Sequence, residues 1–415
     1  MSKYDIMIFS ENKYLNKEYR MVNQEMKQLG NVRSVIREIF EYSKVRKAEI
    51  GKDNVFDFSI GNPSVPAPQI VNDTIIDLAT NFDSVELHGY TSAQGDARVR
   101  AKISEYIKNN FGVDVPPTYL YMTVGAAAGL TIALKALCLP EDEVIAFAPF
   151  FPEYTVFSKN CGAKLVKVNP DDKLMPNFEE FERALTAKTK VVIVNSPNNP
   201  SGVIYPESTI KALCEILERK QKEFGTNIYV LCDEPYRELV YDKATTVPYV
   251  MNYYDNTIVC YSFSKSMSMP GDRIGYLAVN PKAAESADVY AAVCGAGRSL
   301  GFVCAPSLMQ FVVERCIGNV ADISIYKRNR DLLYNSLTEY GFDCVYPDGA
   351  FYLFVKAPNG DAKEFYERAK KHELLLVPAD SFGTPGYVRI AYCVTTEQIQ
   401  RSLPAFKKLI DEYKN

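Results

Sequence analysis

At 415 residues, 47% hydrophobic and 24% charged, the chain has room for two domains or one large α/β domain with an appendage. Its net charge of -4 argues against nucleic acid as a partner, and no run approaches the roughly 18 apolar residues of a membrane span. Ten cysteines without a C-x-x-C pair, and only two histidines, fit neither a zinc site nor a disulfide scaffold.

Free thiols and a polar N-terminus ("MSKYDIMIFSENKYLNKEYR") that makes a poor signal peptide predict a cytoplasmic protein. Residues 1–30 have weak periodicity and stay unassigned as an N-terminal arm. The stretch "NVRSVIREIFEYSKVRKAEIG" predicts an amphipathic helix within residues 31–60, joining a small domain or reaching a partner.

From residue 61 to 305, short β-branched runs alternate with helical patterns. Strands are expected at 143–148, 190–195, 227–233, 256–262 and 275–280, with a helix over "PESTIKALCEILERKQKEFG". Near-continuous apolar strands separated by helices imply a mostly parallel sheet covered on both faces, with ligands gathering at its carboxyl edge. Asn195, Asp233 and Ser262 end three of these runs.

Residues 306–415 differ. A long helical pattern, then "GAFYLFVKA", a helix, "LLLVPAD", "GYVRIAYCV" and a last helix predict a smaller α+β domain.

Within this frame, "SFSKSMSMPGDRIG" places Lys265 among small, weakly polar residues with Arg273 eight positions on. Desolvation and a nearby cation disfavour an ammonium ion, as a nucleophilic lysine requires. Neither His88 nor His372 lies near a hydrolase nucleophile motif, so hard chemistry here needs a cofactor.

The other signals have bland readings too. "NSPNNPSG" is a tight loop or a site loop, and Asp233 in "CDEPYREL" is a helix cap or the partner of a cation. "TVGAAAGL" opens a helix whose N–H groups suit phosphate, or packs through alanines. In "APFFPEY", Phe150 and Phe151 are core unless one stacks on a flat ring. Arg389 in "YVRIAYC" needs an anion, from a salt bridge or a carboxylate ligand.

In the order "GNP", "TVGAAAG", "PFFPEY", "NSPNNPSG", "DEPY", "SFSKSMSMPGDRIG", "VRIAY", the chain from about Asn31 onward resembles the class I/II aminotransferases, pyridoxal-phosphate enzymes of fold type I. The resemblance implies that Lys265 holds the aldehyde of pyridoxal 5'-phosphate and carries the substrate proton. It implies Ser262, Arg273 and the N–H groups of Gly125, Ala126 and Ala127 for the phosphate, Asp233 for the ring nitrogen, and Phe151 for stacking. Asn199 and Tyr236 would bind the 3′-oxygen, and Arg389, with Gly61 and Asn199 alongside, the substrate carboxylate. Tyr90 in "HGYTSAQG" would reach the neighbouring subunit's phosphate, implying a homodimer with shared sites.

The phosphate loop departs from many relatives in having Ala126 and Ala127 in place of a hydroxyl or amide. Ala305-Pro306 replaces a frequent Asn-Pro pair, and Arg298 reads as a surface arginine rather than the reader of a distal carboxylate. The implied reaction is transfer of an amino group from an L-amino acid to a 2-oxo acid in two half-reactions. A carbon–sulfur β-lyase or cyclopropane-forming synthase would use the same anchors. A non-catalytic regulator would need a DNA-binding module, for which about thirty residues are too few.

Overall fold

The computed structural model describes residues 22–31 and 34–414. Gln24–Asn31 is an α-helix, and residues 1–21 of the unassigned arm lie outside the described residues. Helix α1 (Val35–Ile50) begins with Ser34 accepting from the Arg37 N–H, a side-chain cap. It is held to the C-terminal part of the chain: Arg46 pairs with Glu373 at 2.6 Å, and Ser43 donates to Asp57 at 2.6 Å. Next to it, Phe56–Asp57 pairs in parallel with Leu374–Leu375. The amphipathic segment therefore joins the C-terminal part within its own chain.

Among the described residues, the larger sheet has seven strands. They are β1 (Leu120–Thr123), β2 (Glu143–Phe147), β3 (Lys164–Val168), β4 (Thr189–Asn195), β5 (Tyr229–Asp233), β6 (Thr257–Ser262) and β7 (Gly275–Val279). Their spatial order is β1-β7-β6-β5-β4-β2-β3. The pairs from β3 to β6 are parallel, and β7 runs antiparallel to both β6 and β1. Strands β5 and β6 are buried along their whole length, because helices cover both faces. Helix α2 (Ala126–Leu137) comes close enough to β6 that a Cβ on Gly129 would lie 2.6 Å from Cys260 Sγ.

The smaller sheet is antiparallel, in the order β10-β11-β9-β8, from β8 (Cys344–Val345), β9 (Tyr352–Lys356), β10 (Val377–Pro378) and β11 (Tyr387–Ala391). Helices Ser324–Tyr340 and Thr396–Asp411 accompany it. This is the α/β architecture of fold type I, a mostly parallel sheet with a smaller α+β part.

Several expectations need correction. β1 and β3 escape a periodicity reading: β1 has four residues, and β3, at the sheet edge, has a partly exposed "KLVKV" pattern. The single helical pattern after Pro306 is two helices, Ser307–Cys316 and Ser324–Tyr340, with Gly318 at φ +92 between them. No helix among the described residues is long and apolar enough to cross a membrane.

Candidate active site

β2 and β3 extend the sheet one way and β4 and β5 the other, so the order of connection reverses between β2 and β4. In open α/β sheets a ligand crevice forms at such a point, beyond the carboxyl ends of the strands. Here lies a cleft of about 900 Å³, lined by Gly61, Ala126, Ala127, Phe151, Asn199, Asp233, Tyr236, Ser262, Lys265, Arg273 and Arg389. Asn195 stands opposite Asp233 in the β4–β5 register, and Ser262 closes β6, so strand ends supply three anchors at one edge.

Lys265 sits on the short helix Phe263–Ser266, straight after β6, and its Nζ donates to the Gly61 carbonyl at 2.7 Å. Burial, helped by the cations Arg389 and Arg273, pushes its ammonium down to about 8. The amine is thus far more available at neutral pH than an exposed lysine.

Asp233 is 5% exposed at the end of β5. Tyr154, on helix α3 (Glu153–Asn160), donates to its Oδ2 at 2.6 Å, while Oδ1 has no protein partner. Burial pushes the carboxyl up to about 7, against the pull of the Tyr154 hydrogen bond. A buried carboxylate with one oxygen unmet calls for a cationic or N–H partner in the cleft.

The start of α2 is the third component. Gly125 takes φ +89, and a Cβ there would lie 2.8 Å from Arg273 Nη2. No side chain caps this helix, so the first N–H groups, at Ala126 and Ala127, lack intrahelical acceptors. Arg273 donates to the Pro270 carbonyl at 2.9 Å, which holds its fork beside that loop. Gly125 itself stands behind the arginine.

Arg389, 2% exposed on β11, donates from Nη1 to Asn199 Oδ1 at 3.1 Å and from Nη2 to the Ser59 carbonyl at 2.6 Å. Its Nε has no partner. The guanidinium lies between the rings of Tyr352, at 4.6 Å, and Phe382, at 5.2 Å. A caged cation with spare donors suits a planar carboxylate.

Two residues named in the sequence reading stand apart, one predicted for the site and one read as a surface arginine. Tyr90 is 98% exposed and absent from the cleft lining. Arg298 is exposed on helix Ser286–Leu300, also away from the lining. Conversely, Tyr154, Tyr352 and Arg37 were missed. Tyr154 lies three residues beyond Phe151 in the same block. Tyr352 lies on the strand paired with β11, where Phe354 faces Arg389, so period-two alternation puts residue 352 diagonal to the arginine. Arg37 lines the cleft mouth from α1, and its side chain has no partner among the described residues.

Does this set fit pyridoxal phosphate? An unmet carboxylate oxygen, a desolvated amine, an aromatic ring, and N–H groups beside Arg273 and Ser262 match a flat cationic ring bearing an aldehyde and a phosphate. They fit.

The family model for aminotransferase class I and II matches residues 53–406. A probable aspartate aminotransferase of Methanocaldococcus jannaschii is 30% identical over 389 residues, which is 91% of this chain and 97% of that protein. The aspartate aminotransferase of Thermotoga maritima is 29% identical over 383 residues, again 91% and 97%. A crystal structure of an amino transferase from Eubacterium rectale is 56% identical, with TM-score 0.93, covering 95% of this chain and 100% of that one. The order of strands, the contents of the cleft and these likenesses agree, and the chain belongs to the class I and II aminotransferases, which are pyridoxal-phosphate-dependent.

Proposed function

We propose that this aminotransferase holds pyridoxal phosphate in the cleft, with the amine of Lys265 as its covalent anchor. The observation carrying this reading is that a desolvated amine and a partnerless carboxylate oxygen line the same cleft. When bound, the cofactor supplies an electron sink for the pair released as the substrate Cα–H bond breaks. Lys265 Nζ, set free when the substrate's amino group takes its place, would take up that proton. Asp233 Oδ1, left without a protein partner, would meet the ring nitrogen and keep it protonated, while Tyr154 holds the other oxygen.

Tyr236 and Asn199 would bind the ring oxygen, and Phe151 would stack on the ring face. Ser262, Arg273 and the N–H groups at Gly125, Ala126 and Ala127 hold the phosphate. Arg389 binds the substrate α-carboxylate, with Gly61 and Asn199 beside it. The exposed Tyr90 serves the partner's site in a homodimer. Residues 61–305 form the cofactor domain and 306–415, joined by 31–60, the small domain. All ten cysteines are free, which supports a reducing, cytoplasmic setting.

For the amino donor, Arg37 supports a substrate with a second carboxylate. It is a cation on the cleft wall without a side-chain partner among the described residues, whereas neighbouring Glu41 is occupied by Lys44 at 3.4 Å. The aspartate aminotransferase names of the relatives point the same way, and they favour transamination over the lyase alternative.

Two variants test the assignment. Lys265→Ala should lose turnover and the visible absorbance of lysine-bound cofactor while keeping its circular dichroism. Arg389→Lys should keep the absorbance but raise the amino-acid KM about 10- to 100-fold, because a point charge cannot replace the fork. An intact visible band in the first, or an unchanged KM in the second, removes that residue from the site.

A further inference from the structure

Tyr352 belongs to no motif that carries the family resemblance, yet it touches both halves of the cleft. It is buried on β9 and lines the cleft itself. Its hydroxyl lies 2.9 Å from the Tyr236 hydroxyl, and the two rings meet edge-on with centroids 5.7 Å apart. Its ring lies 4.6 Å from the Arg389 guanidinium carbon. It also fills the space above Gly61, where a Cβ would collide with the Tyr352 hydroxyl.

The hydrogen inventory sets what this contact does. Burial pushes Tyr352 up to about 12 and Tyr236 well above its ordinary value, so both stay protonated at neutral pH. Two hydroxyls carry two hydrogens, and one is used between them. If Tyr352 donates, the Tyr236 hydrogen is left for an acceptor in the cleft. An anionic ring oxygen bound beside Tyr236 would select that direction, and a hydroxyl that accepts a hydrogen bond becomes a stronger donor. Meanwhile the Tyr352 ring, with that of Phe382, confines the Arg389 guanidinium, whose remaining contacts, to Asn199 and Ser59, lie at its edge.

We infer that Tyr352 is a positioning residue joining the carboxylate clamp to the cofactor oxygen: its hydroxyl orients the Tyr236 hydrogen and its ring holds the Arg389 fork. This rests on the roles proposed above for Tyr236 and Arg389. It predicts that the two functions of one side chain separate under substitution.

The experiment uses holoprotein and four variants, Tyr352→Phe, Tyr352→Leu, Tyr236→Phe and the double Tyr236→Phe/Tyr352→Phe, with Arg389→Lys as reference. Two quantities are read: the pH midpoint of the visible band of lysine-bound cofactor, and KM and kcat for L-aspartate. Tyr352→Phe keeps the ring, so KM should stay within about twofold while the midpoint rises by about half a pH unit. Tyr352→Leu should show the same midpoint rise plus a KM increase of about tenfold. The double variant should have the midpoint of Tyr236→Phe alone, since the hydroxyl acts through Tyr236.

An unmoved midpoint in Tyr352→Phe, an equal KM rise in Tyr352→Phe and Tyr352→Leu, or additive midpoint shifts in the double variant overturns the inference. Wild-type behaviour of both Tyr236→Phe and Arg389→Lys would instead overturn the underlying site assignment, and Tyr352's role with it.

Discussion

A lysine held near 8 is a chemical statement with a direction. Burial is its first cause, and the Arg389 and Arg273 charges add to it. Because this value lies below the 10.5 of an ordinary lysine, the neutral amine appears as pH rises through about 8. At pH 7 the reactive fraction is roughly 300 times that of an ordinary lysine. Asp233 works in the same sense: its carboxyl, raised to about 7, becomes the anion needed by a protonated ring nitrogen as pH rises through that value. Cofactor loading onto apoprotein should therefore accelerate from pH 6 to 8 and level off above about 9, read by growth of the visible band after mixing. A flat profile would mean that Lys265 is not the group reacting.

Lys265 is legible in sequence because its neighbours are small and uncharged in a way that surface lysines do not need. Tyr154 and Tyr352 are not, because a tyrosine between apolar residues reads as core until its hydroxyl partner is known. Asp233 supplies that partner for Tyr154 from a different strand.

Elements turn these residues into a site through their ends. β4, β5 and β6 stop at Asn195, Asp233 and Ser262, and α2 starts where β1 has just ended. The buried central strands were legible because burial on both faces leaves continuous apolar runs. The edge strand β3 was not, since one solvated side interrupts the run with lysines. Gly125 tests the importance of the α2 start. Gly125→Ala puts a methyl group 2.8 Å from Arg273 Nη2 at a φ of +89. Gly51→Ala adds a comparable backbone strain at φ +91, with only Asn54 Nδ2 in ordinary contact at 3.6 Å. Equilibrium dialysis should show cofactor Kd raised about tenfold or more in the first and unchanged in the second. Equal affinities would mean that Arg273 and the loop do not hold the phosphate.

At the scale of the whole molecule, the cleft of one chain gathers every proposed cofactor residue except Tyr90 and Gly125, and Gly125 stands behind Arg273. Tyr90 is 98% exposed and lines no part of its own chain's cleft. If it completes a neighbour's phosphate site, two damaged chains should complement each other. Lys265→Ala and Tyr90→Ala chains, each weak or inactive alone, should on co-refolding recover up to about a quarter of the wild-type rate. Half the random dimers then pair an intact Lys265 with the partner's Tyr90. Activity no greater than the sum of the separate chains would confine each site to a single chain.

The two sheets also divide the labour of recognition. Of the proposed anchors for ring and phosphate, Asp233 and Ser262 close strands of the seven-stranded sheet, whereas Arg389, Tyr352 and Arg37 belong to β11, β9 and α1. Drift in which amino acid is accepted can thus accumulate at Arg37 without retuning the electronic machinery, whereas a change at Arg389 or Tyr352 reaches Lys265 or Tyr236 as well. Duplicated genes for such a protein would diverge in diet before they diverged in chemistry.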